Sequence, residues 1–320
     1  MKVFIATPAP VGTRRGNRIT ALRWQRILRE LGCRVRIGRR WRATEPCDLL
    51  VALHATKSAD SIRTFRKHHP RLPLIVALTG TDLYVDLEHD SRTRASLQLA
   101  SRLVLLQREA LRALDAPCRR KARVILQSAV PYRGRIAAGH PGFRVVALGH
   151  LRAIKNPLLA AQAARLLPDD SRIRIEHYGS SLDAGLARSA RRESRQNPRW
   201  RWRGECSHSA VARILAGSDA FLETSLAEGG STAMSEAVVS GAAILSTRTP
   251  GAVGMLGPGH RGFFRSGDAV ALAGLLSRCE RDAPFHQGLR AASRNLAPLF
   301  APEREREAWR SLLRGLGRAD

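Results

Sequence analysis

The sequence predicts an α/β protein built from two successive Rossmann-like domains, each a parallel sheet wrapped by helices. Three observations predict it. Short apolar runs alternate with amphipathic stretches in a repeating strand-then-helix order. Several of those runs end in a glycine or polar turn, as in Leu74-Ile-Val-Ala-Leu-Thr79-Gly80 and Ile173-Arg-Ile-Glu-His-Tyr178-Gly179. The chain has 320 residues, more than one core usually serves. In open parallel sheets ligands gather beyond the carboxyl ends of the strands, so those turns are the places to look for function.

In the N-terminal half, Met1 to Ala6 reads as a short buried strand, Thr7 to Arg18 as a loop with Gly12 and Gly16, and Ile19 to Leu31 as an amphipathic helix. Asp48 to His54 and Leu74 to Asp82 are further strands that end in polar groups. A lone His54 or Asp82 reads equally well as a satisfied hydrogen-bonding residue or helix cap; their shared position at strand ends raises the functional reading. The apolar pattern breaks over Tyr132 to Gly142, where Gly134, Gly139 and Pro141-Gly142 mark a domain boundary.

The C-terminal half opens with Phe143 to Leu148, a strand, followed by the Gly149 turn and a helix start that carries Arg152 and Lys155, with Pro157 tolerated in a first helical turn. Two cations three residues apart suit the charge that gathers on a leaving diphosphate. The strand Trp200 to Gly204 leads through Glu205 and Cys206 to a helix from Ser209 to Ala216, and the strand Asp219 to Thr224 precedes Glu228-Gly-Gly-Ser-Thr-Ala-Met-Ser-Glu236. Met234, Ala237, Val238 and Gly241 fall at helical spacing and should pack on the sheet, with Gly241 suited to end the helix. Thr232 and Glu236 share the opposite face near the helix start, where free N–H groups suit a diphosphate. Glu236 is then placed for a ribose diol and Glu228 for sugar hydroxyls, although two ordinary solvated glutamates would look the same. Gly251, Gly254 and Gly257, flanked by Pro250 and Pro258, read as a loop.

That order of elements resembles the nucleotide-sugar-binding half of retaining glycosyltransferases of family 4, which have the GT-B fold: two Rossmann-like domains facing across a cleft. The matching positions are Arg152 and Lys155, which the resemblance implies bind the donor diphosphate, and Glu228 and Glu236 of the E-x7-E motif. The resemblance narrows at Thr7-Pro-Ala-Pro, Gly16-Asn17-Arg18-Ile-Thr-Ala-Leu-Arg-Trp24, Leu53-His54-Ala55, Leu78-Thr79-Gly80-Thr81-Asp82-Leu-Tyr84 and Glu228-Gly-Gly-Ser. Together these look like the selenosugar synthases of selenoneine biosynthesis, over nearly the whole chain. Such enzymes join selenium from selenophosphate to the anomeric carbon of a UDP-sugar.

The resemblance implies an acceptor-binding domain at 1–138, a donor-binding domain at 139–302, and a helix at 303–320 that crosses back onto the first domain. Its catalytic groups would be Arg152, Lys155 and Glu228. The donor site would add Gly149, Asn156, Glu205, Cys206, Gly229, Gly230, Ser231, Thr232 and Glu236, and the acceptor site Arg15, Asn17, Arg18, His54, Thr79, Gly80 and Asp82. No cofactor and no metal are expected, because the two cations would stabilise the departing UDP; selenophosphate, being anionic and polarisable, needs little help from a base.

Composition narrows the alternatives. The formal net charge is +27 and the pI about 11.6, yet nearly all the cations are Arg, spread along the whole chain. A basic surface steers anionic substrates, and Arg191-Arg192 and Arg119-Arg120-Lys121 read as solvated faces. Five scattered cysteines without a C-x-x-C pair disfavour zinc and a disulfide framework. No apolar run approaches the roughly eighteen residues of a membrane span, so a cytoplasmic protein is expected. P-loop, H-E-x-x-H, G-x-S-x-G and G-x-G-x-x-G signatures are absent from their expected places. Two other readings stand: a family 4 transferase with an ordinary oxygen acceptor, using His54 or Asp82 as base, and a noncatalytic nucleic-acid-binding protein. Sparse aromatics and the lack of any recognised module weigh against specific nucleic-acid binding.

Overall fold

A computed structural model describes residues 1–13, 16–136 and 141–316. Its contacts divide the chain into two compact units: Met1–Gln127 with Glu228–Gly230 and Pro302–Asp320, and Ser128–Ala227 with Ser231–Ala301. The division lies between Gln127 and Ser128, upstream of the 138/139 boundary expected from glycine and proline. The Ala129 N–H already donates to the Phe300 carbonyl of the second unit (3.0 Å). Residues 138 and 139 themselves lie outside the described residues.

The first unit holds β1 (Lys2–Ala6), β2 (Arg34–Gly38), β3 (Leu49–Leu53), β4 (Leu74–Leu78), β5 (Arg102–Leu105) and β6 (Ala122–Val124). They form one parallel sheet in the order β2-β1-β3-β4-β5-β6. Both faces are covered, which is why β3 and β4 are apolar at every position. Phe4, Leu50 and Val76 join one core cluster, while Ile5, Val51 and Ile75 join the other. The first helix spans Gly16–Glu30, three residues earlier than expected, so Asn17 and Arg18 sit in its first turn. The last helix, Pro302–Arg314, belongs to this unit: Trp309 packs edge-on against Trp24 with ring centroids 4.8 Å apart. The Trp24 indole N–H donates to the buried Glu305 carboxylate (2.8 Å).

The second unit holds β7 (Phe143–Leu148), β8 (Ile173–Tyr178), β9 (Trp200–Gly204), β10 (Ala220–Glu223), β11 (Ala243–Thr247) and β12 (Phe263–Phe264). Its parallel sheet has the order β12-β11-β10-β7-β8-β9, so the direction of winding reverses between β7 and β10. Such a switch point opens a crevice at the carboxyl ends of the two strands. The helix Thr232–Val239 buries Met234, Ala237 and Val238, and Gly241 follows it at φ 66°.

Two sequence expectations are corrected. Pro250–Leu256 is an α-helix, not a loop. Thr249 caps it by accepting from the Ala252 N–H (3.1 Å), Pro250 fills the first turn where no donor is needed, and Gly257 closes it. Pro157 lies outside any helical turn. A 3-10 turn covers Ala153–Lys155, Asn156 is left-handed (φ 43°), and the α-helix begins at Leu159. The residue before a proline is driven out of the right-handed region, and Asn is among the few that tolerate the left-handed one. In the Arg119–Lys121 run, Arg119 and Arg120 are exposed as expected, while Lys121 is half-buried and its Nζ donates to the Ala100 carbonyl (2.9 Å).

None of the five cysteines is in a disulfide. Burial pushes the Cys47 and Cys118 thiols up to about 11 and that of Cys279 to about 12, so they act as core atoms rather than nucleophiles.

Candidate functional site

At the switch point of the second sheet, the turn after β7 and the turn after β8 lie on top of one another. Gly149 (φ 155°) donates its N–H to the Tyr178 carbonyl (2.9 Å), and the Leu151 N–H donates to that of Ser180 (2.9 Å). A Cβ on Gly179 would stand 2.0 Å from the Gly149 carbonyl oxygen and 2.9 Å from the His150 nitrogen, so the crossing admits glycine alone. The His150 ring is tied to Ser180 Oγ (2.8 Å), and the Trp202 indole N–H holds the Gly179 carbonyl (2.7 Å).

Arg152, which is exposed, leads into the 3-10 turn that follows, and Lys155, which is half-buried, ends it. The turn is gripped by the loop after β10. Thr224 Oγ1 donates to the Lys155 carbonyl (2.8 Å), and the Leu226 N–H donates to that of Ile154 (2.8 Å). The cations therefore stand on a backbone fixed from two sides at the switch point. Glu205 (exposed) and Cys206 (half-buried) follow Gly204 at the end of β9.

The helix Thr232–Val239 starts beside this turn system. Ser231 caps it, accepting from the Met234 N–H (3.2 Å), and the Ser231 hydroxyl donates to Glu223 (2.6 Å), a carboxylate only 5 % exposed at the end of β10. A buried carboxylate beside a helix start is favoured by the partial positive charge there. Thr232 and Glu236 are half-buried on the same helix.

Glu228, Gly229 and Gly230 fall by their contacts in the first unit. There a Cβ on Gly229 would lie 2.5 Å from the Gly80 nitrogen, and one on Gly230 2.4 Å from Leu106 Cβ, so only glycines fit. The polar strand ends of the first sheet are bound together by Asp82. Fully buried, it accepts from the N–H groups of Ala55 (2.9 Å), Thr79 (3.0 Å) and Gly80 (2.8 Å). These donors hold the carboxylate away from solvent, and Asp82 thereby organises the turns after β3 and β4.

His54 is the first residue after β3 and is held at φ 70°, a conformation that a side chain of its size rarely adopts. Its Nε2 lies 3.0 Å from Thr81 Oγ1, and its Nδ1 3.9 Å from Asp82. After β1, Thr7 Oγ1 donates to the Asn17 carbonyl (3.3 Å), drawing the first turn of the Gly16–Glu30 helix toward the strand end. Asn17, Arg18, Thr79 and Gly80 are half-buried around these turns. Arg14 and Arg15 lie outside the described residues. Among the described residues no group of three or more His, Cys, Asp or Glu is placed to hold a metal ion. None of the helices among them is long and apolar enough to cross a membrane.

Two residues of the second unit's site escaped the sequence reading. Glu223 closes an otherwise apolar strand, Ala220-Phe-Leu-Glu, whose full burial was the signal for it. His177 continues the inward alternation Ile173, Ile175, His177 on β8, which places it on the core side. It is 4 % exposed, and burial holds its ring far below the usual value, at about 4.

The architecture and the turns now have counterparts. The family model of glycosyl transferases group 1 matches residues 133–296, just over half of the chain. The protein belongs to the group 1 glycosyl transferases, and its fold is GT-B. Sucrose-phosphate synthase of Thermosynechococcus elongatus is similar at 14 % identity over 100 % of this chain and 99 % of that one, with a TM-score of 0.82. HepE of Anabaena is similar at 15 % identity over 98 % of this chain and 99 % of that one, with a TM-score of 0.74. A glycosyltransferase of Rickettsia africae is similar at 12 % identity over 100 % and 99 %, with a TM-score of 0.76. Among curated proteins no sequence matches.

The buried histidines of the second unit give a pH dependence. Burial lowers both His177 and His260 in the folded state, so between about 6.5 and about 4 the unfolded chain binds more protons than the folded one. Stability is therefore full above pH ~6.5 and is lost as pH falls toward ~4. Urea titrations across that window should show the unfolding midpoint dropping, with a shallower drop in His177→Gln; a midpoint flat in both proteins contradicts the assignment.

Proposed function

We propose that the protein is a selenosugar synthase that moves the sugar of a UDP-sugar, UDP-N-acetylglucosamine or UDP-glucose, onto the selenium of selenophosphate. The observation that carries this reading is the convergence of the motifs that resemble selenosugar synthases. Thr7, the start of the Gly16–Glu30 helix, Leu53-His54-Ala55 and Thr79-Gly80-Thr81-Asp82 follow three neighbouring strands of one sheet, and Asp82 ties the last two together. A UDP-linked donor is supported by HepE, whose crystals hold UDP and UDP-glucose.

A selenium lone pair attacks the anomeric carbon, and the bond from that carbon to the diphosphate oxygen breaks with its electron pair leaving on UDP. Arg152 and Lys155 offset the charge that develops there, in the role a divalent cation fills elsewhere. Glu236 receives the ribose diol and Glu228 the sugar hydroxyls. Water then attacks phosphorus, the selenium–phosphorus bond breaks, and phosphate leaves the selenol on the sugar. The Arg18 cation and the helix N–H groups at Asn17 and Arg18 suit an anionic acceptor, which is why the selenium reading is favoured over a neutral sugar hydroxyl.

The test is to incubate the protein with each UDP-sugar and either selenophosphate or a panel of oxygen acceptors, following UDP release and products by mass spectrometry. Release that depends on selenophosphate and yields a selenium-bearing sugar is expected; release with an oxygen acceptor alone overturns the reading. Arg152→Ala and Lys155→Ala should each cost about 2–4 kcal/mol in kcat/KM, and a chelator should leave wild-type turnover intact. Near-normal rates in both variants, or a strict need for Mg²⁺, would speak against the role given to these cations. Arg18→Ala and Asn17→Ala should raise the KM for selenophosphate strongly with UDP affinity unchanged, and unchanged KM values would move the acceptor site elsewhere.

A further inference from the structure

We infer that His177 is the positioning residue of the diphosphate-binding turn: its ring fixes the plane of the Gly149–His150 peptide so that the amide N–H is held outward as a donor to the diphosphate. The inference rests on the UDP-sugar reading of the donor site. His177 Nε2 lies 2.9 Å from the Gly149 carbonyl oxygen. A carbonyl only accepts, so the ring proton sits on Nε2. The other nitrogen, Nδ1, is buried and makes no hydrogen bond. The ring thus has a single polar task. Burial keeps it neutral and unchanged in form across the physiological range.

The consequence follows from peptide geometry. No cis peptide occurs among the described residues, and in a trans peptide C=O and N–H point to opposite sides. Drawing the Gly149 carbonyl in toward β8 turns the His150 N–H away from β8. The bare Cα of Gly179 lets that peptide lie flat on the crossing, and the His150–Ser180 contact holds its far end. Without a donor at 177 the carbonyl would be buried unpaired, a state folded proteins avoid. Glycine opens the escape, because at Gly149 the peptide can flip. A flipped peptide would offer the diphosphate an oxygen in place of an N–H, replacing attraction by repulsion.

The full chain carrying His177→Phe, which keeps ring shape without the donor, and His177→Gln, whose amide N–H can reach the same carbonyl, tests this. UDP is titrated by calorimetry and uridine, which lacks phosphate, by ligand-observed NMR. His177→Phe should weaken UDP by about tenfold or more while uridine binds as to wild type, and His177→Gln should recover most of the loss. If His177→Phe does not fold, His177→Met is apolar and adaptable and is read in the same way. Wild-type UDP affinity in the apolar variant, or equal loss of UDP and uridine, overturns the inference while leaving the donor reading in place. Wild-type protein that binds no UDP overturns both.

Discussion

The second unit depends on one close backbone crossing, where the Gly149 peptide passes over Gly179. Parallel strands β7 and β8 bring the two turns to the same level, and the absence of a side chain at 179 lets them touch. The turn that carries the two cations is built out from that contact. The 3-10 turn with Arg152 and Lys155 leaves from it, the loop after β10 grips that turn, and His177 sets its peptide from below. A side chain at Gly179 would force the two turns apart and move the backbone that carries both cations.

The first unit solves a related problem with a carboxylate instead of a glycine. Asp82 gathers three backbone N–H groups from the turns after β3 and β4, and the price of burying its charge is met by those donors. His54, next to it, is held in an unusual backbone conformation. Strain of this kind persists only where surrounding structure enforces it, and Asp82 with the bonds around Ala55 does so.

Local chemistry was legible in the sequence. The strands and helices follow from apolar runs and their periods, and E-x7-E with the cations after β7 announces a nucleotide-sugar half because those residues lie close together along the chain. What was missed depends on contacts across the chain. His177 meets Gly149 from 28 residues away, and nothing local distinguishes it from an ordinary core histidine. Asp82 changes meaning only when Ala55 is seen to donate to it. Pro250–Leu256 is the exception, a local signal misread: proline at the first position and glycine past the last mark a helix, yet their density suggested a loop. At Asn156-Pro157 the proline suggested a first helical turn, but its effect on the residue before it decided the backbone, and the helix begins only at Leu159.

The central claim is that group 1 transferase machinery here makes a carbon–selenium bond. The most direct measurement is NMR of the product formed from selenophosphate and a UDP-sugar labelled with carbon-thirteen at the anomeric position. The account predicts a one-bond coupling between that carbon and selenium, appearing in step with UDP. An anomeric carbon bonded to oxygen, whether as free sugar or as a sugar phosphate, would contradict it.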